Sequence, residues 1–173
     1  EFPEYLDRFR KNSLFRGIRY GNLWGYSLSQ QVDNPAFIDG MKRLAAADLV
    51  LDSANPDLAL LHAIVRLSDQ VPELRIIIDH LPAMEPDKSE RAEYEKLLVE
   101  LKQRRQVSMK LSAVIHRIAG AVSTELSAHR DRIESLMEVF GEDRVIFGSD
   151  WPNSDGVASL NSIVKLAREY LSR

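Results

Sequence analysis

The side chains best suited to chemistry in this 173-residue chain close two short apolar runs. Asp79-His80-Leu81-Pro82 follows Ile76-Ile77-Ile78, and Gly148-Ser149-Asp150-Trp151-Pro152 follows Arg144-Val145-Ile146-Phe147. A histidine at a strand end can ligate a divalent ion, polarise a carbonyl or shuttle a proton, because it titrates near neutrality. The alternative is a hydrogen-bonded structural histidine. Neighbouring residues on a strand face opposite ways, so only one of Asp79 and His80 is expected to serve a site easily. Asp150 stands after a glycine that lets the backbone approach a ligand, where a carboxylate can bind a metal or take a proton from attacking water. It can equally cap the next helix through an Asx-type turn. Trp151 either walls a pocket or packs. Arg19 and Lys110 fall on predicted strands, where an unpaired charge is expensive, and Asp52 and Asp79 are available partners. We read both cations first as members of structural ion pairs, with substrate binding second. His116 is a further site candidate, whereas His62 in mid-helix and His129 near a helix start read as surface residues.

The elements that must position these residues alternate. Strands are predicted at 15–20, 48–54, 74–81, 107–114 and 144–151. Between them lie helices: one opened by Asn34-Pro35 with Phe37, Met41 and Leu44 at helical spacing, and one over 56–71 ended by Pro72. A third follows the capping pair Asp87 and Glu90, with Tyr94, Leu97, Leu98 and Leu101 on one face. A fourth spans 130–140 before Gly141, and a fifth runs from about residue 157 to the end. The unbroken β-branched run at 76–78 suits a parallel strand covered on both faces. Five βα units allow two architectures, a doubly wound open sheet or a (β/α)8 barrel or part of one; either places ligands beyond the carboxyl ends of the strands. The polar residues collect at those ends.

Composition narrows the classes. With 45% hydrophobic and 28% charged residues the chain can fill one globular domain, 1–173, and its net charge of −3 provides no basic stripe for nucleic acid. Without cysteine there is no thiolate metal site or Cys nucleophile, so any metal must use His and carboxylates. The absence of cysteine is compatible with a cytoplasmic protein. No apolar run is long enough for a membrane helix, and no Gly-rich phosphate loop or serine nucleophile elbow occurs. The amino terminus lacks signal-peptide features and an initiator Met, and reads as a cut or processed end.

The ordered series Phe15-Arg16-Gly17-Ile18-Arg19, Ile76 to Leu81, Met109-Lys110-Leu111-Ser112 and Val145 to Pro152 resembles the amidohydrolase-2 group of barrel hydrolases, which includes fuconolactonases and pyrone dicarboxylate lactonases. The resemblance implies an α/β fold of TIM-barrel type, here an incomplete barrel of about five βα units. It implies a hydrolase of lactones or related cyclic esters, acting on a small molecule by Asp-activated water attack, with Asp150 and His80 catalytic. Arg19 would bind substrate, joined by Trp151 and His116, which are candidates from the residues themselves, while Lys110 and Ser112 stay ambiguous. A divalent metal such as zinc would take His80 and Asp150, with its other ligands missing from this chain. The family's opening His-x-His strand does not occur in these 173 residues. The intact protein is therefore expected to carry roughly eighty to a hundred further residues upstream, and a homo-oligomer is a further expectation. Two other readings stay open: a non-catalytic doubly wound ligand-binding module, and an incomplete barrel whose free edges make it an interaction protein.

Overall fold

The computed structural model describes residues 2–118 and 120–172. Helix starts follow local chemistry. Asn34 accepts from the Ala36 N–H at 3.0 Å and Pro35 occupies the first turn of α2 (Pro35–Ala46). Asp57 accepts from the Leu60 N–H at 2.7 Å to open α3 (Leu58–Gln70). α4 (Arg91–Gln103) buries Tyr94, Leu97, Leu98 and Leu101, the predicted face. α5 (Arg130–Phe140) stops at Gly141, whose φ of 69° favours glycine. Ser159 caps α6 (Leu160–Leu171). Two elements were not expected: α1 (Phe2–Phe9), and a hairpin of β5 (Arg117–Ile118) and β6 (Ala121–Val122).

The main sheet is parallel throughout, with β1 (Gly17–Arg19), β2 (Val50–Ser53), β3 (Arg75–Ile78), β4 (Val107–Leu111) and β7 (Val145–Phe147) lying side by side in chain order. That order decides the architecture. A doubly wound sheet reverses direction at a switch point, whereas right-handed crossovers between strands laid down in sequence put every helix on the same side. The burial agrees. Leu51, Ile76, Ile78 and Met109, in register across β2, β3 and β4, are fully buried in the core, while the opposite face carries Arg19, Asp52, Ile77, Lys110 and Ile146, the last 44% exposed. The expected cover on both faces is thus corrected: one face packs on helices and the other is the inner wall of a barrel. The doubly wound module is excluded. Among the described residues β1 and β7 each have one neighbour, so the arc is open, and no helix is long and apolar enough to cross a membrane.

The strands are shorter than the sequence suggests because their ends turn sharply. Asn55, His80, Ala113 and Asp150, just beyond β2, β3, β4 and β7, have φ of 58°, 60°, 51° and 57°. Left-handed backbone costs a residue with a side chain about 1 kcal/mol, less for Asn, Asp and His. The four corners line the carboxyl-terminal rim of the sheet, and backbone conformations of this kind cluster at functional sites in proteins generally.

Candidate active site

Parity along β2, β3 and β4 turns Asp52, Asp79 and Lys110 toward the inner face, and Arg19 joins them from β1. Arg19 donates through Nε and Nη2 to Asp52 Oδ2 at 3.0 and 2.6 Å, and through Nη2 to Asp79 Oδ2 at 2.5 Å. Lys110 Nζ lies 3.3 Å from Asp52 Oδ1 and also contacts Asp79 Oδ1. Two cations and two anions close a neutral quartet across four strands, the ion pairing expected of Arg19 and Lys110. Gly148 makes room for it, since a Cβ there would stand 3.1 Å from Lys110 Cδ.

The two carboxylates feel this quartet differently. Burial works to raise Asp52, but the hydrogen bonds from Arg19 and with Asp79 and the charges of Lys110 and Arg19 prevail and hold it below the usual carboxylate range. Burial is also the main influence on Asp79, whose side chain is wholly inaccessible; Lys110 opposes it, but hydrogen bonding and charge from Asp52 add to it and Asp79 is raised.

Strict alternation would send His80 to the helix side, away from Asp79. Its left-handed backbone changes that, and the expectation that only one of the pair reaches the site is corrected. The His80 N–H donates to Ser112 Oγ at 3.3 Å, Ser112 Oγ meets His80 Nδ1 at 3.0 Å, and His80 Nε2 stands 3.8 Å from Asp150 Oδ1. Asp150 also accepts from Asn153 Nδ2 at 3.3 Å. The fold thus brings together His80 and Asp150, the pair singled out first, from strands that are not neighbours, with side chains 16% and 24% exposed. Sequence reasoning left Ser112 ambiguous, and its only signal was a position two residues beyond Lys110 at a strand end.

The remaining candidates lie apart. Trp151 follows Asp150 with 58% of its surface exposed. His116 Nδ1 donates to Val114 O at 2.7 Å and Nε2 faces Glu85 Oε1 at 3.3 Å, contacts that do not include His80 or Asp150. His62, half exposed beside Glu93, is a surface residue as expected. His129 is not: it is 2% exposed and donates through Nε2 to Ser123 O at 2.8 Å, a buried tether between the hairpin and α5.

A structural or catalytic zinc site takes three or four protein ligands. Among the described residues no group of three or more His, Cys, Asp or Glu side chains converges so as to hold an ion. His80 and Asp150 supply two donors, and two do not fit a zinc site by themselves.

A family model described as Amidohydrolase matches residues 1–172. L-fucono-1,5-lactonase from Burkholderia ambifaria is 31% identical over an alignment of 159 residues that covers 88% of this chain and 51% of the lactonase. The chain therefore spans about half the length of that curated relative. An amidohydrolase from Burkholderia multivorans, solved with bound zinc, superposes with a TM-score of 0.79 at 22% identity, covering 98% of this chain and 62% of that one. The same amidohydrolase solved with bound HEPES gives 0.79 at 23% identity, covering 98% and 61%. At these identities the structural likeness speaks for the fold, an amidohydrolase barrel of which this chain contributes a part.

Proposed function

The chain belongs to the amidohydrolase family, and from that premise we propose that the whole protein hydrolyses a lactone or a related cyclic ester. The observation that carries the reading is the approach of His80 Nε2 to within 3.8 Å of Asp150 Oδ1 at the carboxyl-terminal rim. A carbonyl seated there meets a base on one side and an imidazole on the other. Asp150 takes a proton from water as its oxygen attacks the carbonyl carbon. His80 orients or polarises the carbonyl oxygen, on which negative charge develops. The tetrahedral intermediate collapses by breaking the ring C–O bond, and the leaving alkoxide takes back the proton held by Asp150, yielding a hydroxy acid. The similarity to L-fucono-1,5-lactonase supports a lactone over an amide.

Arg19 contributes to binding. Its side chain is 42% exposed, and its contacts with Asp52 and Asp79 run through Nε and Nη2, which leaves the Nη1 edge for a substrate carboxylate or hydroxyl. Trp151 offers an exposed apolar wall, whereas His116, held by Val114 and Glu85, would reach a substrate only if that substrate extends beyond the His80–Asp150 pair. A divalent ion such as zinc, when bound, supplies a Lewis acid and an acidified water. His80 and Asp150 would be two of its ligands, and the described residues bring no third to them.

Asp150→Asn in the whole protein tests the reading. Lactone turnover should fall by at least about 100-fold, the span of a general base, with an unchanged circular dichroism spectrum. Retained turnover sinks the assignment.

A further inference from the structure

Ser112 is 1% exposed, and its hydroxyl touches His80 twice. The γ-like turn from Ser112 N–H to Lys110 O at 2.9 Å and the left-handed Ala113 bend the chain at the end of β4, where the hydroxyl meets His80 at the corner of the adjacent β3. Oγ accepts from the His80 N–H, so the backbone takes one of its lone pairs. Among the described residues its own O–H has one acceptor, His80 Nδ1 at 3.0 Å.

The two neutral tautomers of His80 then differ sharply. With the proton on Nε2, Ser112 donates to Nδ1, and Nε2–H points toward the Asp150 carboxylate; every group finds a partner of the right kind. With the proton on Nδ1, the imidazole competes with the Ser112 O–H, a buried hydroxyl hydrogen is left without an acceptor, and the Nε2 lone pair faces a carboxylate oxygen 3.8 Å away. We propose that Ser112 is a positioning residue that locks His80 as the Nε2–H tautomer, committing the ring to donate a hydrogen bond to the substrate carbonyl. The inference rests on the hydrolytic reading for the identity of that carbonyl, and on the geometry alone for the tautomer. It also bears on metal: a ring holding an ion through Nε2 must carry its proton on Nδ1, against the preference that Ser112 sets.

The test is a two-bond ¹H–¹⁵N correlation spectrum of the ¹⁵N-labelled whole protein, with the His80 signals assigned by their loss in His80→Gln. Wild type should show a protonated Nε2 and a lone-pair Nδ1. Ser112→Ala should lose that preference and lower kcat by about tenfold or more, within the span of a general acid, with KM changed by less than about twofold. Ser112→Thr, which keeps the hydroxyl, should restore both. A proton on Nδ1 in wild type, or a Ser112→Ala protein with unchanged tautomer and kcat, overturns the inference. The two readings fail separately. An Nδ1–H ring in a protein that hydrolyses lactones refutes the role of Ser112 alone. An Nε2–H ring that Ser112→Ala converts, in a protein with no lactone turnover, supports the tautomer and refutes the hydrolytic reading.

Discussion

Asp52 and Asp79 share the same two cations yet are pushed in opposite directions, and their effects on stability have opposite signs. Asp52, held low, stabilises the fold above its unfolded pKa of about 3.9, and that contribution is lost as pH falls through its depressed folded value. Asp79, held high, contributes stability that is present below its unfolded value and lost as pH rises through its folded one. Replacing Asp52 by Asn should lower stability at pH 7 by about 2 kcal/mol, since Arg19 and Lys110 lose a charged partner. It should also flatten the decline of the melting temperature below about pH 4, because the group responsible no longer titrates. Parallel melting curves for variant and wild type between pH 3 and 7 would contradict this. The quartet was legible in the sequence because a charge on a strand must be neutralised and only a few carboxylates lie at matching strand ends. The meeting of His80 with Ser112 was not: it depends on two left-handed residues, His80 and Ala113, that no pattern of apolar spacing reveals.

At the scale of elements, Arg144 joins what the helices leave loose. It is 7% exposed, and it donates to the carbonyls of Phe140 and Val139 at the end of α5, of Leu101, Lys102 and Arg104 at the end of α4, and of Val107 at the start of β4. Two helix ends otherwise short of donors are satisfied by one guanidinium. Arg144→Ala should cost at least about 3 kcal/mol in chemical denaturation, and Arg144→Lys should recover little of it, because a single ammonium cannot reach carbonyls set so far apart. A loss below about 1 kcal/mol would show that water replaces the guanidinium. The sequence concealed this role, since an arginine opening the predicted strand 144–151 gives no sign of the carbonyls that two helix ends will bring to it. Helices with long apolar stripes, such as α4, were plain in advance. The β5–β6 hairpin was not, because two-residue strands with exposed side chains carry no period to detect.

For the molecule as a whole, the sequence showed five βα units but could not choose between a barrel and a doubly wound sheet, because strand order is not a local property. The order β1-β2-β3-β4-β7 makes the choice, and it leaves two free sheet edges among the described residues. The β7 edge is apolar: Ile146 and Phe147 are 44% and 43% exposed and Leu171 is 63%. Produced by itself, this chain should associate as its concentration rises, and Ile146→Lys, a charge on the open wall, should reduce the association seen in light scattering. A monomer at all concentrations would show that the edge is protected. The four strained corners have a different reach, toward the history of the sequence. A side chain branched at Cβ is poorly tolerated in left-handed backbone, so valine, isoleucine and threonine are disfavoured at positions 55, 80, 113 and 150 whatever reaction the site performs. The residues that this backbone accepts at least cost form a short alphabet of glycine, asparagine, aspartate and histidine. Because that alphabet is rich in acids, bases and ligands, the backbone that closes each strand keeps reactive groups within easy reach of new chemistry.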